Sequence, residues 1–316
     1  MSLYRSVRAV TGATGDGAVD WAAVSEAAKS SADPGDLGVS DAEREEYAAD
    51  VRAARDRVRE VTDTGFTLPE RVEIQDRHHW IDANVAMFER VMAPLEQQAG
   101  TAPGLATVVN TGSMAFALSF LSRHVLGQYD PLLLADSPDH ALYFVRPNII
   151  RTAEKLDVPY GRFRRWIAFH EVTHAAEFGA APWLPEHLES TMQEAIKNLA
   201  SGTLDRESMS ALDTTMTAVE GYAELVMDRA FDEEYTDLRR KLEARRQGRG
   251  PFERLVRRLL GLSVKRRQYE RGKEFFETVV ESHGMATANR VWDSPELLPT
   301  DEELDNPAAW IARVER

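Results

Sequence analysis

His170-Glu171-Val172-Thr173-His174 is the stretch of this sequence whose residue types and spacing could do chemistry. On a helix, histidines four apart stack on one face, one turn from each other. Two imidazoles at that spacing can grip one metal ion. Glu171 is turned ~100° from His170 around the helix axis. It therefore flanks the metal without being a ligand, and can take a proton from a water that the metal activates. Phe163, Trp166 and Ile167 share the histidine stripe and Phe178 continues it, which predicts that both rings face the interior. Gly179 is placed to end the helix.

Zinc needs a third protein ligand and leaves one position open. The chain has no cysteine, so such a site must be built from His, Asp and Glu. Disulfide scaffolds, iron–sulfur clusters and cysteine nucleophiles are excluded by the same count. The longer pattern with a glycine and a third histidine fails, because Glu177 and Ala180 stand at those positions. A carboxylate from another helix is expected instead. Glu177 is on the motif's own face, where three ligands from two turns make poor tetrahedral geometry. Glu189 and Glu194 lie on the next helix, which is amphipathic. Glu220 sits among Val219, Tyr222, Ala223, Val226 and Met227, where a carboxylate needs a partner or a metal, and Gly221 beside it permits close approach of a backbone or a substrate. Glu224, one turn further, could accept a hydrogen bond from a ligand histidine and fix its tautomer. Tyr222 and His283 are the candidate oxyanion donors. His78, His79, His124, His140 and His187 read as ordinary core or surface residues. A di-iron bundle would need a second Glu-x-x-His, which does not occur.

Helical periodicity dominates the elements that must position these groups. It predicts helices over 21–30, 41–61 with Ser40 or Asp41 as cap, 75–96, 112–126, one starting at Pro147, and the motif helix after Pro159. Further helices are expected over 185–200, 206–232, 237–246, 252–260 and 264–283. One strand pair, 132–135 with 141–145, is expected across a turn-rich linker. The acidic tail from Leu297 reads as loosely packed. The fold class is mainly α with one small sheet. Residues 1–60 are expected to form a helical region packed on a core of 61–316, the two making one compact unit.

The chain has 316 residues and a net charge of −14. Only six of its 38 basic residues are lysine. Such a balance fits either a halophile-like acidic surface or a high-GC codon bias, and disfavours nucleic acid as a partner. The basic run over 239–249 and 254–267 reads as a solvated helix face. The longest apolar stretch, Met114–Leu121, is far short of the ~20 residues that span a bilayer, and the N-terminus lacks the apolar segment of a secretory leader. The expectation is a soluble, cytoplasmic protein without a membrane partner.

Several segments together resemble a known family. VTDTGF, DRHHWIDANVAMF, RHVLGQYD, LYFVRPNI, FRRWIAFHEVTHAAEF, APWLPEHL and VEGYAELVMD are similar to landmarks of the zincin-like family of zinc-dependent metalloproteases or hydrolases. One branch of that family is described as associated with biosynthesis of the deazaflavin coenzyme F-420. The resemblance spans about residues 60–230. It implies a zincin-like metalloprotease core with the H-E-x-x-H helix inside a helical bundle, Zn2+ as cofactor, and a peptide or protein substrate. Matched motif by motif, it implies His170 and His174 as ligands, Glu171 as general base and Glu220 as third ligand. Where members often carry His after the Glu-Gly pair, this chain has Tyr222. The other function compatible with these residues is a zinc-binding accessory protein, without turnover, linked to F-420 metabolism.

Overall fold

The computed structural model describes residues 18–69, 71–99, 105–130, 141–200, 206–231, 235–247 and 266–315. The expected strand over 132–135, the helix over 252–260 and most of the basic run lie outside them.

Helix α1, Trp21–Ser31, starts where the Asp20 carboxylate accepts the Ala23 N–H at 2.9 Å. Helix α2, Asp41–Thr62, is capped by Ser40, and Asp63 in the left-handed region (φ 53°) stops it. Strand β1, Arg71–Gln75, leads into α3, Arg77–Ala99, and α4 follows over Leu105–Ser122. Strands β2, Gly127–Asp130, and β3, Ala141–Val145, complete a three-stranded sheet in the order β1-β3-β2. β3 runs parallel to β1, with Arg71 opposite Ala141 and Gln75 opposite Val145, and antiparallel to β2, with Gly127 opposite Phe144. All five β3 residues are buried, which is why ALYFV reads as an unbroken apolar run rather than an alternating one.

Pro147 occupies the first turn of α5, Arg146–Leu156, where its missing N–H costs nothing. Pro159 precedes α6, Tyr160–Ala180, which carries the motif. Then come α7 over Leu184–Ala200, α8 over Arg206–Ala230, α9 over Thr236–Gln247, α10 over Arg266–His283 and α11 over Met285–Asn289. Short helices α12, Asp301–Asp305, and α13, Pro307–Val314, close the described chain.

Three sequence expectations change here. Gln75 belongs to a strand, not to a helix start, because β3 needs a partner on its second edge. The helix expected to reach residue 126 ends at Ser122, which releases Gly127 for β2. The tail is packed: Trp310 is fully buried and its indole N–H donates to the Leu297 carbonyl at 2.8 Å, while Thr300 and Glu303 form a capping box.

Helix α2 lies along α6 and is tied to it by a buried ion pair and a hydrogen bond. Arg164 Nε donates to Asp50 Oδ2 at 2.8 Å, and the Tyr160 hydroxyl donates to Glu43 at 2.6 Å. The main core gathers Phe163, Ile167 and Phe169 of α6 with Tyr222 and Val226 of α8 and Phe275 and Phe276 of α10. A second cluster joins Trp21 and Val24 of α1 to Trp80 and Ile81 of α3 and Leu118 of α4. Helices α8 and α10 cross at Gly221 and Gly272: a Cβ at Gly221 would lie 2.6 Å from Gly272 Cα and 2.8 Å from its carbonyl oxygen. Gly221 thus serves the approach of a helix, which only a residue without Cβ allows.

Candidate metal centre

Helix α6 is buried on the sides that meet α2 and α8. Between them runs a half-open strip of Trp166, His170, His174 and Phe178, spaced by fours. The motif histidines therefore sit at the border of core and solvent, not in the interior; the His174 side chain keeps 13 % of its exposure. Trp166 lies parallel to the His170 ring, with centroids 5.6 Å apart. Phe178 meets Tyr129 of β2 at 5.5 Å.

His174 Nε2 and His170 Nε2 are 3.3 Å apart. His170, His174 and Glu220 each offer a ligand atom, and these atoms lie within 4.8 Å of one another. Among the described residues this is the one group of its kind. Two imidazole nitrogens each ~2.05 Å from a tetrahedral zinc would be about 3.3 Å apart, so the measured separation fits that ion. On its far side, His174 Nδ1 is 2.7 Å from Glu177 Oε2. A carboxylate only accepts, so Nδ1 donates to Glu177 and Nε2 is the nitrogen left for a metal, which would displace any proton held there. Glu177 is fully buried, and its other oxygen has no hydrogen-bond partner among the described residues.

The electrostatics favour a cation. Burial works against charge on His174, but the carboxylates of Glu177, Glu220 and Glu171 outweigh it and lift the imidazole to about 10. Burial pushes Glu171 up to about 7, opposed by His174 and by the hydrogen bond from the Tyr129 N–H. Three carboxylates around two imidazoles form a site that a divalent ion would neutralise.

The other sequence candidates are placed elsewhere or hold other partners. Glu224 is half-buried one turn along α8 and outside the three-residue cluster. The Tyr222 hydroxyl donates to Asn289 Oδ1 at 2.7 Å, and its ring packs edge-on against Phe276 and Trp292. His283 ends α10, more than a third exposed, 3.8 Å from Glu315. Glu189 accepts from Nε and Nη2 of Arg90. Sequence reasoning weighed Glu177 only as a ligand and overlooked it as the carboxylate that holds His174. Its signal was the i,i+3 spacing from that histidine.

A helical scaffold that brings two histidines of one helix and a glutamate of another to one point defines a class of metal-binding protein. The model of the zincin-like metallopeptidase family matches residues 19–210 and 200–311, and the chain belongs to that family. No curated protein matches it. A crystal structure from Chloroflexus aurantiacus, described as a candidate hydrolase with a novel fold, is similar with a TM-score of 0.80 and 29% identity. That likeness covers 94% of this chain and 99% of the other. It corrects the expected zincin-like core: the mainly helical class with a small open sheet holds, but the architecture is one described as novel. The physical reason is the short sheet, whose β3 has only five residues, so that packing among helices, rather than a broad sheet, surrounds α6. No described helix is long and apolar enough to cross a membrane.

Proposed function

We propose that this protein is a zinc-dependent hydrolase acting on peptide or protein substrates. His170, His174 and Glu220 would hold the ion. A bound zinc supplies a Lewis acid for a carbonyl oxygen and acidifies the water beside it. Glu171 is the general base. Its Oε2 accepts the Tyr129 N–H at 2.9 Å, which leaves Oε1 to take a proton and pass it to the leaving group. Glu177 holds the His174 ring and its tautomer. Trp166 and Phe178, half-buried on either side of the histidines, offer apolar surface to substrate side chains.

The observation that carries this reading is the 3.3 Å approach of the two Nε2 atoms with Glu220 beside them. Family membership supports the peptidase class. Glu171→Gln should keep one zinc per chain, read by metal analysis, and lose cleavage of a quenched fluorescent peptide library. Turnover that survived this change would remove Glu171 as the base. One observation favours a second reading, a zinc-binding accessory protein in the F-420 context that the resemblance implies. Tyr222 gives its hydroxyl to Asn289, and His283 lies beside Glu315, so neither supplies an oxyanion donor. A wild-type protein that binds one zinc yet cleaves nothing in the library would support it.

A further inference from the structure

We propose that strand β2 is a built seat for the Glu171 carboxylate, with Gly127 as a positioning residue and the Tyr129 N–H as the fixed donor. The inference rests on the reading of Glu171 as general base.

Among the described residues β2 is an edge strand, and its side away from β3 meets Glu171 of α6. The Val145 N–H donates to the Leu126 carbonyl at 2.9 Å. Hydrogen-bonded pairs alternate along an antiparallel ladder, so Gln128 pairs with Tyr143, while Gly127 and Tyr129 turn their backbone groups outward. The outward Tyr129 N–H reaches Glu171 Oε2 at 2.9 Å. A Cβ on Gly127 would lie 2.7 Å from both Cγ and Oε1 of Glu171 and 2.9 Å from its Cδ. Gly127 has no positive φ to justify it; what it supplies is room for that side chain. A glutamate side chain can swing aside, so an added methyl group would displace the carboxylate more readily than the strand.

The seat is anchored from behind. Gln128 Oε1 accepts the Trp80 indole N–H at 2.7 Å, and Gln128 Nε2 donates to Asn84 Oδ1 at 3.0 Å. Asn84, fully buried, returns a hydrogen bond from Nδ2 to the Trp80 carbonyl at 2.8 Å. These contacts fix the register of β2. A slip of one residue would place Gln128 against Glu171. Helix α3 thus sets the strand, and the strand sets the base.

Gly127→Ala tests the seat. Zinc affinity, measured by chelator competition, should stay within about threefold, because the ligands are untouched. The Tyr129 amide, followed by hydrogen exchange, should exchange ~10-fold faster than in wild type, as in Glu171→Ala, through loss of one hydrogen bond. On cleavable peptides, kcat should fall ~100-fold with KM within about threefold, the scale of a displaced general base. Protection of Tyr129 that persists in Glu171→Ala, or full kcat in Gly127→Ala, would overturn the proposal. If Gly127→Ala fails to fold, Trp80→Phe removes the indole donor and keeps an aromatic ring. It should also speed Tyr129 exchange and lower kcat, and unchanged values of both would overturn the seat. If wild type cleaves no peptide, the hydrolase reading falls, and the exchange arm alone still decides the seat.

Discussion

Replacing Gly272 by alanine tests whether Glu220 is positioned by the crossing of α8 and α10. An added Cβ would lie 3.1 Å from Gly221 Cα, and closer still to the Thr217 carbonyl oxygen. Carbon atoms in good contact lie about 3.5–4.0 Å apart, and both sides of this contact are backbone, so no rotamer change absorbs the clash. The helices must part or tilt by roughly 1 Å, and overpacking of this kind costs about 1–3 kcal/mol. In a large domain that lowers the melting temperature by about 2–4 °C per kcal/mol. Glu220 directly precedes Gly221, and it must move relative to α6 when α8 moves. Zinc ligand distances hold within about 0.2 Å, so the displacement exceeds the tolerance several-fold. Zinc affinity should fall at least ~10-fold, or about 1.4 kcal/mol. Chelator competition reads the affinity, and thermal unfolding of zinc-free protein reads the packing cost separately. A variant with wild-type melting and wild-type affinity would refute the close crossing. Lost stability with intact affinity would show that Glu220 is placed by something other than this contact.

Two further outcomes are expected. Glu177→Ala should weaken zinc binding about 10–100-fold by freeing the His174 ring, while Glu177→Gln, which keeps an acceptor oxygen, should recover much of it in the same chelator titration. Arg313 hydrogen-bonds Glu303 and holds its carboxyl below the unfolded value of 4.5. Stability from this pair is therefore complete above 4.5 and lost as the pH falls through the lowered folded value. Arg313→Met should flatten that part of the acid-unfolding curve, and a slope unchanged between the two proteins would refute the assignment.

The helices and the pairing of His170 with His174 were legible because both rest on local spacing. Periodicity of 3.6 marks α2 and α6 without any partner, and His170 and His174 meet wherever a helix forms. Glu220 was legible as a carboxylate too apolar in its surroundings to be a surface residue. What escaped depends on contacts distant in sequence. β1 is a strand because β3 runs beside it some 70 residues later, with Arg71 opposite Ala141. Gly221 could be read as a place of close approach, but nothing local says that the approaching backbone is Gly272. The tail was misread because its acidic residues outnumber Leu304 and Trp310, whose burial needs distant partners such as Phe275 of α10. Glu177 was in plain view, yet its role depends on which nitrogen of the His174 ring it meets, and only the folded geometry shows that Nδ1 is turned toward Glu177 while Nε2 faces His170.

The site then has a consistent logic of assembly. Two of the site's carboxylates, Glu171 and Glu220, lie at or beside a close glycine contact between elements. Gly127 of β2 leaves the space that Glu171 fills, and Gly221 with Gly272 sets the depth at which α8 presents Glu220. A glycine contact is well suited to this because it is bounded by backbone, whose position is fixed by the hydrogen bonds of its helix or strand. Larger side chains at these contacts could repack through several rotamers and blur the ligand positions. The histidines need no such device, since one helix carries both and Glu177 fixes the second from the same helix. Precision in this centre is therefore of two kinds, intrahelical for the nitrogen ligands and interelement for the oxygen groups. Substitutions at the three glycines should disturb Glu171 or Glu220 while leaving the His170–His174 pair intact.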